Sequence, residues 1–330
     1  MRIQVRQNPQ NPQTSQTITI NQAISEFIKH CEAKNLSAAS VRYYKDGLNR
    51  FSMFTDTRKD VDTICKSLIN DYIIYIQQEL KVCDISAQSY TRSVRAFCYY
   101  LMNEEYIDRF KIRLPKATEK IKTTYTKDEL LKLLKKPDMK HCTFSEFRTW
   151  VYVNYLLGTG NRLNSVKNIC IGDIDFTDGY VTLRKTKNKT EQVIPISADL
   201  SKVLKEYLSI RCGEADDYLF CSDTGRKLSD EGLQSALDRY CEKRGVKPRG
   251  SHALRHSFAK MYLLNGGDIF RLQKLLGHKD ISVTRKYLDL LPEDLKQDYN
   301  KLNPLDSLHE QQRQQNSTKI VMRRGNTKKL

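Results

Sequence analysis

The stretch SHALRHSFAKMYLLNGGDIFRLQKLLGHKDISVTRKYLDL, residues 251–290, places His252, Arg255, His278 and Tyr287 at spacings that could serve one reaction centre. His252 and Arg255 form a His-x-x-Arg box at a helix start, His278 closes LLGH, and Tyr287 follows nine residues later. Upstream stand Arg162, in TGNR, and the lysines of the polar turn 185–191. Guanidiniums offer planar, permanently charged, bidentate contacts to phosphate. Imidazole accepts and returns protons near neutral pH. A phenol, with an ordinary pKa of about 10, needs positive charge or a base beside it before it attacks anything. Together these types suit in-line attack on a phosphodiester, which requires a nucleophile, charge stabilisation on the non-bridging oxygens, and a proton for the departing oxygen. Two arginines make a metal clamp unnecessary, and the sequence has no carboxylate cluster to hold one.

Singly, each residue has a plainer explanation. Tyr287 is one of 18 tyrosines, and a tyrosine is by default structural. A histidine at a helix start is ordinarily a cap or a satisfied core group; His256, directly after Arg255, is read that way. His30, His141 and His309 have no motif around them.

What lifts the set above its parts is order. The stretches resemble the tyrosine recombinase (phage integrase) family, whose catalytic series runs Arg, Lys, His-x-x-Arg, His or Trp, Tyr. The resemblance implies that Arg162 is the first arginine and that His252 and Arg255 are the box. It implies further that His278 donates to phosphate and that Tyr287 is the nucleophile. The family's lysine lies on a β-hairpin eight residues before a proline; counting back from Pro195 gives Lys187, with Lys185 and Lys189 as competitors for the role. His252 would exchange the phenol proton, and the lysine would protonate the leaving 5′ oxygen. A 3′-phosphotyrosine would conserve the bond energy, so cutting and rejoining would need no ATP, metal or other cofactor. One position departs from the pattern: Ser165 stands where family members often carry an acid, which puts the efficiency of the site in doubt.

The elements that must position these groups can be read from periodicity. The fold class is mainly α with a small β-sheet. Residues 1–16 are rich in Gln, Asn and Pro and are expected to be a disordered polar arm. Residues 17–110 form a helical domain, with Ile24, Phe27, Ile28 and Cys31 on one face of its first helix. Ser37 caps a second helix with Val41, Tyr44, Leu48 and Phe51 inward. A third carries Ile64 and Leu68, and a fourth begins near Ser86 with Val94, Phe97, Cys98 and Leu101 inward. The resemblance makes this unit an all-helical SAM-like core-binding domain. Arg42, Lys45, Arg50, Arg92 and Arg95 fall on its outer faces as candidate DNA contacts, against the default of a solvated helix face. A basic linker, 111–125, leads to a mixed α/β catalytic domain, 126–304, which opens at the capping-box pair Thr126 and Glu129. Two short β-rich runs, Tyr180–Leu183 and Gln192–Ile196, flank the lysine turn, with Lys185 and Lys189 as further DNA contacts. A basic tail, 305–330, ends the chain, and Leu290, Leu295 and Leu302 before it are available for packing.

The net charge of +17 over 330 residues, with a pI near 9.4, favours a polyanionic partner. No apolar run approaches the about 20 residues of a spanning helix, so no membrane role and a cytoplasmic, nucleoid-associated location are expected. Nine scattered cysteines form no zinc pattern and are expected to be reduced and mostly buried. The resemblance implies double-stranded DNA with specific recombination sites as substrate and a homotetramer on two sites. It leaves room for an accessory DNA-bending or excision factor. Integration and excision of a mobile element is the leading expectation. Xer-like dimer resolution, a non-catalytic DNA-binding protein that kept the fold, and a type IB topoisomerase are the alternatives.

Overall fold

The computed structural model describes residues 18–117, 123–184, 191–288, 303–305 and 308. The polar arm, the centre of the linker, the lysine turn 185–190 and Leu290, Leu295 and Leu302 lie outside the described residues. The chain divides into two compact units, Met1–Lys120 and Ile121–Leu330.

In the first unit, α1 (Ile20–Ala33) starts at a capping box built by Thr19 and Gln22. Helix α2 (Ala38–Phe54) starts at Ser37, whose hydroxyl accepts from the Ser40 amide; α3 (Lys66–Gln78) and α4 (Asp84–Asn103) follow. Phe27, Leu48, Phe51, Tyr72, Phe97 and Leu101 meet in its core. Helices α2 and α4 approach so closely at Gly47 that a Cβ there would stand 2.4 Å from the Ser93 side chain. Helix α4 begins two residues before the expected Ser86, and Ile64 lies in the turn ahead of α3, although it is buried as expected. Ile112 packs into this core, and Tyr125 packs into that of the second unit.

The second unit is organised around α6 (Phe144–Thr159), buried on nearly every side. It packs against α5 (Lys127–Leu134), α8 (Ala198–Arg211), α9 (Asp230–Lys243) and α10 (Gly250–Leu264). Between α6 and α8 run the short α7 (Leu163–Val166) and an antiparallel sheet. Its strands β1 (Ile174–Asp175), β2 (Tyr180–Leu183) and β3 (Gln192–Pro195) lie in sequential order. Strand β1 is too short to show alternation, which is why periodicity gives only two strands. Helices α11 (Ile269–Leu276) and α12 (Ile281–Arg285) complete the described part.

The nine cysteines form no disulfide, and they are less buried than expected. Cys31, Cys98, Cys221 and Cys241 are buried, but Cys65, Cys83 and Cys212 are exposed. Among the described residues, no helix is long and apolar enough to cross a membrane, and no His/Cys/Asp/Glu group could hold a metal ion.

Candidate active site

Two helix ends build the centre. Helix α6 terminates at Gly160 in the left-handed conformation, φ 63°, and α11 terminates likewise at Gly277, φ 60°. A Cβ on Gly160 would meet the Phe258 ring at 2.2 Å, so the turn needs glycine for space as well as for backbone sign. Immediately after that turn, Arg162 stands at the start of α7. On α10, His252, Arg255 and His256 fall at i, i+3 and i+4, which sets them on one face.

Arg255 is buried, and its guanidinium ties the two helix ends together. Nη1 donates to the Gly160 carbonyl at 2.6 Å, and Nη2 donates to the Leu276 carbonyl at 2.8 Å. Nη2 also lies 2.8 Å from Nε2 of His278. Arg162 donates through Nη1 to the same Leu276 carbonyl at 3.1 Å and to that of Gly277 at 3.4 Å. The C-terminal carbonyls of a helix carry partial negative charge, so these two ends support the buried Arg255 and the half-buried Arg162. Among the described residues no carboxylate binds either guanidinium. Ser165, at the position where an acid was expected by resemblance, is buried and gives its amide to the Arg162 carbonyl. Burial, with the neighbouring Arg162 charge, lowers the Arg255 pKa to about 10.

Tyr287 is 1 % exposed, packed against Ala259, Leu272 and Leu276. Its hydroxyl stands 3.0 Å from Nδ1 of His256, within the influence of the Arg255 guanidinium. The His278 ring lies nearly parallel to the phenol, 6° between planes and 6.4 Å between centroids. Burial raises the phenol's pKa above the ordinary tyrosine value, while Arg255 and Arg162 pull it the other way. His252 is exposed, its ring centroid 6.5 Å from that of His256. Crowding by protein, then the charges of Arg255 and Arg162, lower its pKa.

Arg162, Arg255, His278 and Tyr287 thus converge, with His252 on the adjoining helix face; Lys185, Lys187 and Lys189 lie outside the described residues. At His278, Nε2 accepts from Arg255 while Nδ1 pairs with Thr284 Oγ1 at 2.8 Å. His256, read from the sequence as a cap or core group, is half-buried and meets the Tyr287 hydroxyl through Nδ1. The signal was present, since i+4 from His252 lies on the same helix face.

In the first unit Arg42, Lys45, Arg50 and Arg92 are exposed and Arg95 is half-buried. Lys45 pairs with Glu32 at 3.5 Å, Arg92 donates to Gln88 at 3.0 Å, and the Arg50 guanidinium lies 4.9 Å from the Tyr90 ring centroid. Arg42 forms no ion pair among the described residues.

A helical first unit and a mixed second unit that gathers two arginines around a tyrosine define a class, and comparison with known proteins names it. Residues 123–294 match the phage integrase family and residues 19–121 the phage integrase SAM-like domain. The chain belongs to the phage integrase family, the tyrosine recombinases, enzymes of site-specific recombination that cleave and rejoin DNA. Among its relatives, tyrosine recombinase XerD of Listeria innocua serovar 6a is 28% identical over 86% of this chain and 99% of its own. Tyrosine recombinase XerC of Thermodesulfovibrio yellowstonii is 26% identical over 86% and 96%. The fold is shared with a lambda integrase dimer bound to a COC′ core site, at TM-score 0.68 and 19% identity over 82% of this chain and 95% of that one. It is also shared with the Tn1549 transposon integrase in complex with transposon right end DNA, at TM-score 0.71 and 16% identity over 91% and 100%.

Proposed function

We propose that Tyr287 attacks a DNA phosphodiester to form a 3′-phosphotyrosine, and that the recombination integrates and excises a mobile element. The observation behind the chemistry is the gathering of Arg162, Arg255 and Tyr287 around two helix ends. The two guanidiniums hold the non-bridging oxygens and stabilise the charge that develops there. The lysine hairpin, with Lys187 in the catalytic register, supplies the proton for the departing 5′ oxygen. His252, held neutral by the crowding of protein around it and by its cationic neighbours, faces the phosphate and exchanges protons on that side. His278 reaches phosphate only after releasing Arg255. Because the phosphotyrosine keeps the energy of the diester, a 5′ hydroxyl from another strand reverses the step.

The reading extends to the assembly. Four protomers act on two duplexes, because two duplexes exchange four strands; Arg42, Lys45, Arg50, Arg92 and Arg95 grip backbone phosphates, and an accessory DNA-bending or excision factor sets direction. Work on chromosomal DNA places the protein at the nucleoid. The domain boundaries proposed are a polar arm over 1–16, a core-binding domain over 17–110, a linker over 111–125, a catalytic domain over 126–304 and a basic tail over 305–330.

The test is a nicked duplex, obtained by selection on the wild-type protein from a randomised pool, in which cleavage beside the nick releases a short fragment and traps the enzyme. Wild-type protein is expected to form a covalent adduct and Tyr287→Phe none. An adduct with the phenylalanine variant would make another residue the nucleophile. Xer-like dimer resolution is the second reading, favoured by relatives named XerD and XerC that match over nearly their whole length. Recombination of an element end with a non-identical target site supports the first reading, and recombination confined to two copies of one selected site supports the second.

A further inference from the structure

The Tyr287 oxygen stands 3.0 Å from Nδ1 of His256, with the Arg255 guanidinium close enough to act on it. A guanidinium only donates, and a phenol has one hydrogen to give. In the tautomer that leaves the lone pair on Nδ1 of His256, the phenol directs its hydrogen there, and that is the arrangement a base requires. Helix geometry secures the contact, because His256 follows Arg255 on α10 and its ring centroid lies 5.5 Å from that of Tyr287. His252, one turn earlier, makes no hydrogen bond to Tyr287 among the described residues; its ring neighbour is His256. Positive charge does not ionise the phenol unaided. Burial outweighs Arg255 and Arg162 and keeps the group above the ordinary tyrosine range. A buried nucleophile that stays protonated at neutral pH needs a base in contact.

We propose that His256 is a catalytic residue, the base that takes the Tyr287 proton during cleavage and returns it on rejoining. The proposal rests on Tyr287 being the nucleophile. In cleavage the Oη–H bond breaks, the proton passes to Nδ1 of His256, the Oη–phosphorus bond forms and the bond from phosphorus to the 5′ oxygen breaks. The departing oxygen takes its proton from a separate donor, the hairpin lysine. In rejoining, the incoming 5′ hydroxyl returns a proton to that lysine and attacks phosphorus, and Oη leaves with the proton held by His256. His252 is then free to act on the phosphate side.

The experiment measures single-turnover cleavage of the selected nicked duplex in two forms, one with the ordinary 5′ oxygen at the scissile bond and one with sulfur in its place. Sulfur departs without a proton, so that substrate bypasses the leaving-group acid but not the phenol's base. His256→Ala removes the base. His256→Asn keeps a hydrogen-bond acceptor near the Nδ1 position but cannot take up the proton. Both variants are expected to cleave about 10²-fold more slowly at neutral pH on both substrates. Their rates should climb as pH rises, and added imidazole should restore part of the alanine variant's rate. Lys187→Ala, by contrast, should recover on the sulfur substrate. Wild-type rates in either variant, recovery of the His256 variants on sulfur, or full activity in the asparagine variant alone would each overturn the proposal, the last by reducing His256 to a positioning residue. Should neither variant fold, judged by circular dichroism and duplex binding, the wild-type protein still decides. Cleavage of the sulfur substrate must slow in deuterium oxide, and the absence of an isotope effect sinks the proposal. A wild-type protein that forms no adduct, or a Tyr287→Phe variant that does, is a different failure, that of the nucleophile assignment.

Discussion

Arg255 donates through Nη2 to Nε2 of His278 at 2.8 Å, and that contact fixes the histidine's tautomer. With Nε2 accepting, the ring hydrogen sits on Nδ1 and is given to Thr284 Oγ1, 2.8 Å away and fully buried. Arg255 thus gives its guanidinium to the Gly160 and Leu276 carbonyls and to His278. If His278 donates to a bound phosphate, that contact opens first, which makes it a candidate latch.

Thr284 holds the other end of that latch. Thr284→Val keeps the shape but strands the Nδ1 hydrogen in a buried place, at a cost of about 1 to 3 kcal/mol. Thr284→Ser keeps the acceptor. Chemical denaturation should rank wild type and the serine variant above the valine variant, with adduct formation slowed most in valine. Equal behaviour of the two variants would show that the hydroxyl does not hold the ring.

Gly160 supports Arg255 from the opposite side. Gly160→Ala forces an L residue to φ 63° and drives its Cβ against Phe258 at 2.2 Å. The strain and the clash together should cost about 2 kcal/mol or more and move the carbonyl that anchors Arg255. Gly225→Ala is the control, since its φ is 78° but nothing lies within 4 Å of the added carbon. It should lose only the backbone penalty, about 1 to 2 kcal/mol, and cleave at the wild-type rate. Thermal unfolding of both proteins and their adduct rates give the comparison.

How much of this was readable in the sequence depends on which atoms do the work. Arg162, Arg255 and Tyr287 announce themselves, because side-chain type at a fixed spacing is what a sequence records. The anchors do not. The expected acid at position 165 is a serine, and the guanidiniums rest on the carbonyls of Gly160, Leu276 and Gly277, backbone groups that every residue possesses. His256 was passed over because adjacency to Arg255 in sequence says nothing of direction, whereas the i+4 relation to His252 sets its face. Helix faces such as Phe27 with Cys31, or Val94 with Phe97 and Leu101, followed from period alone; the start of α4 at Asp84 did not, because Cys83 before it supplies no side-chain cap.

Arg42 offers a test of the first unit. It is exposed and without an ion pair among the described residues, whereas Lys45 already has Glu32 at 3.5 Å. A phosphate contact by Arg42 should weaken binding of any duplex and lower the slope of log affinity against log salt by about one in Arg42→Ala. Lys45→Ala should change the slope less, since its charge is partly neutralised beforehand. Titrations at several salt concentrations measure both; an unchanged slope for Arg42→Ala removes it from the DNA-facing set.

Gln192 joins the hairpin to the site. From strand β3 its amide donates to the carbonyls of Lys274 at 2.7 Å and Leu275 at 3.0 Å, next to those that hold the arginines. Gln192→Ala should cost about 1 kcal/mol in stability for the lost hydrogen bonds. Gln192→Glu should be worse, because a carboxylate cannot donate and adds negative charge at the C-terminal end of α11. If lysine delivery depends on this tether, both variants lose cleavage on the oxygen substrate more than on the sulfur one, and an equal loss on the two places the defect at the arginines instead.

His252 reports on the phosphate side. Crowding by protein and the charges of Arg255 and Arg162 lower its pKa, so the folded protein favours the neutral ring relative to the unfolded chain. The stability this confers is present above the unfolded value, about 6.5, and is lost as pH falls from there through the lower folded value. Denaturation from pH 8 to 5 should therefore show wild type losing more stability than His252→Gln across that window, and a ring titration followed by NMR should have its midpoint below the ordinary histidine value. A duplex bound at the site brings a phosphate charge that offsets the two arginines, so the midpoint should rise on binding and a larger fraction of rings should carry a proton at neutral pH. A midpoint unmoved by DNA would mean that no phosphate comes to lie beside His252, and proton exchange on that side would fall to the hairpin lysine alone.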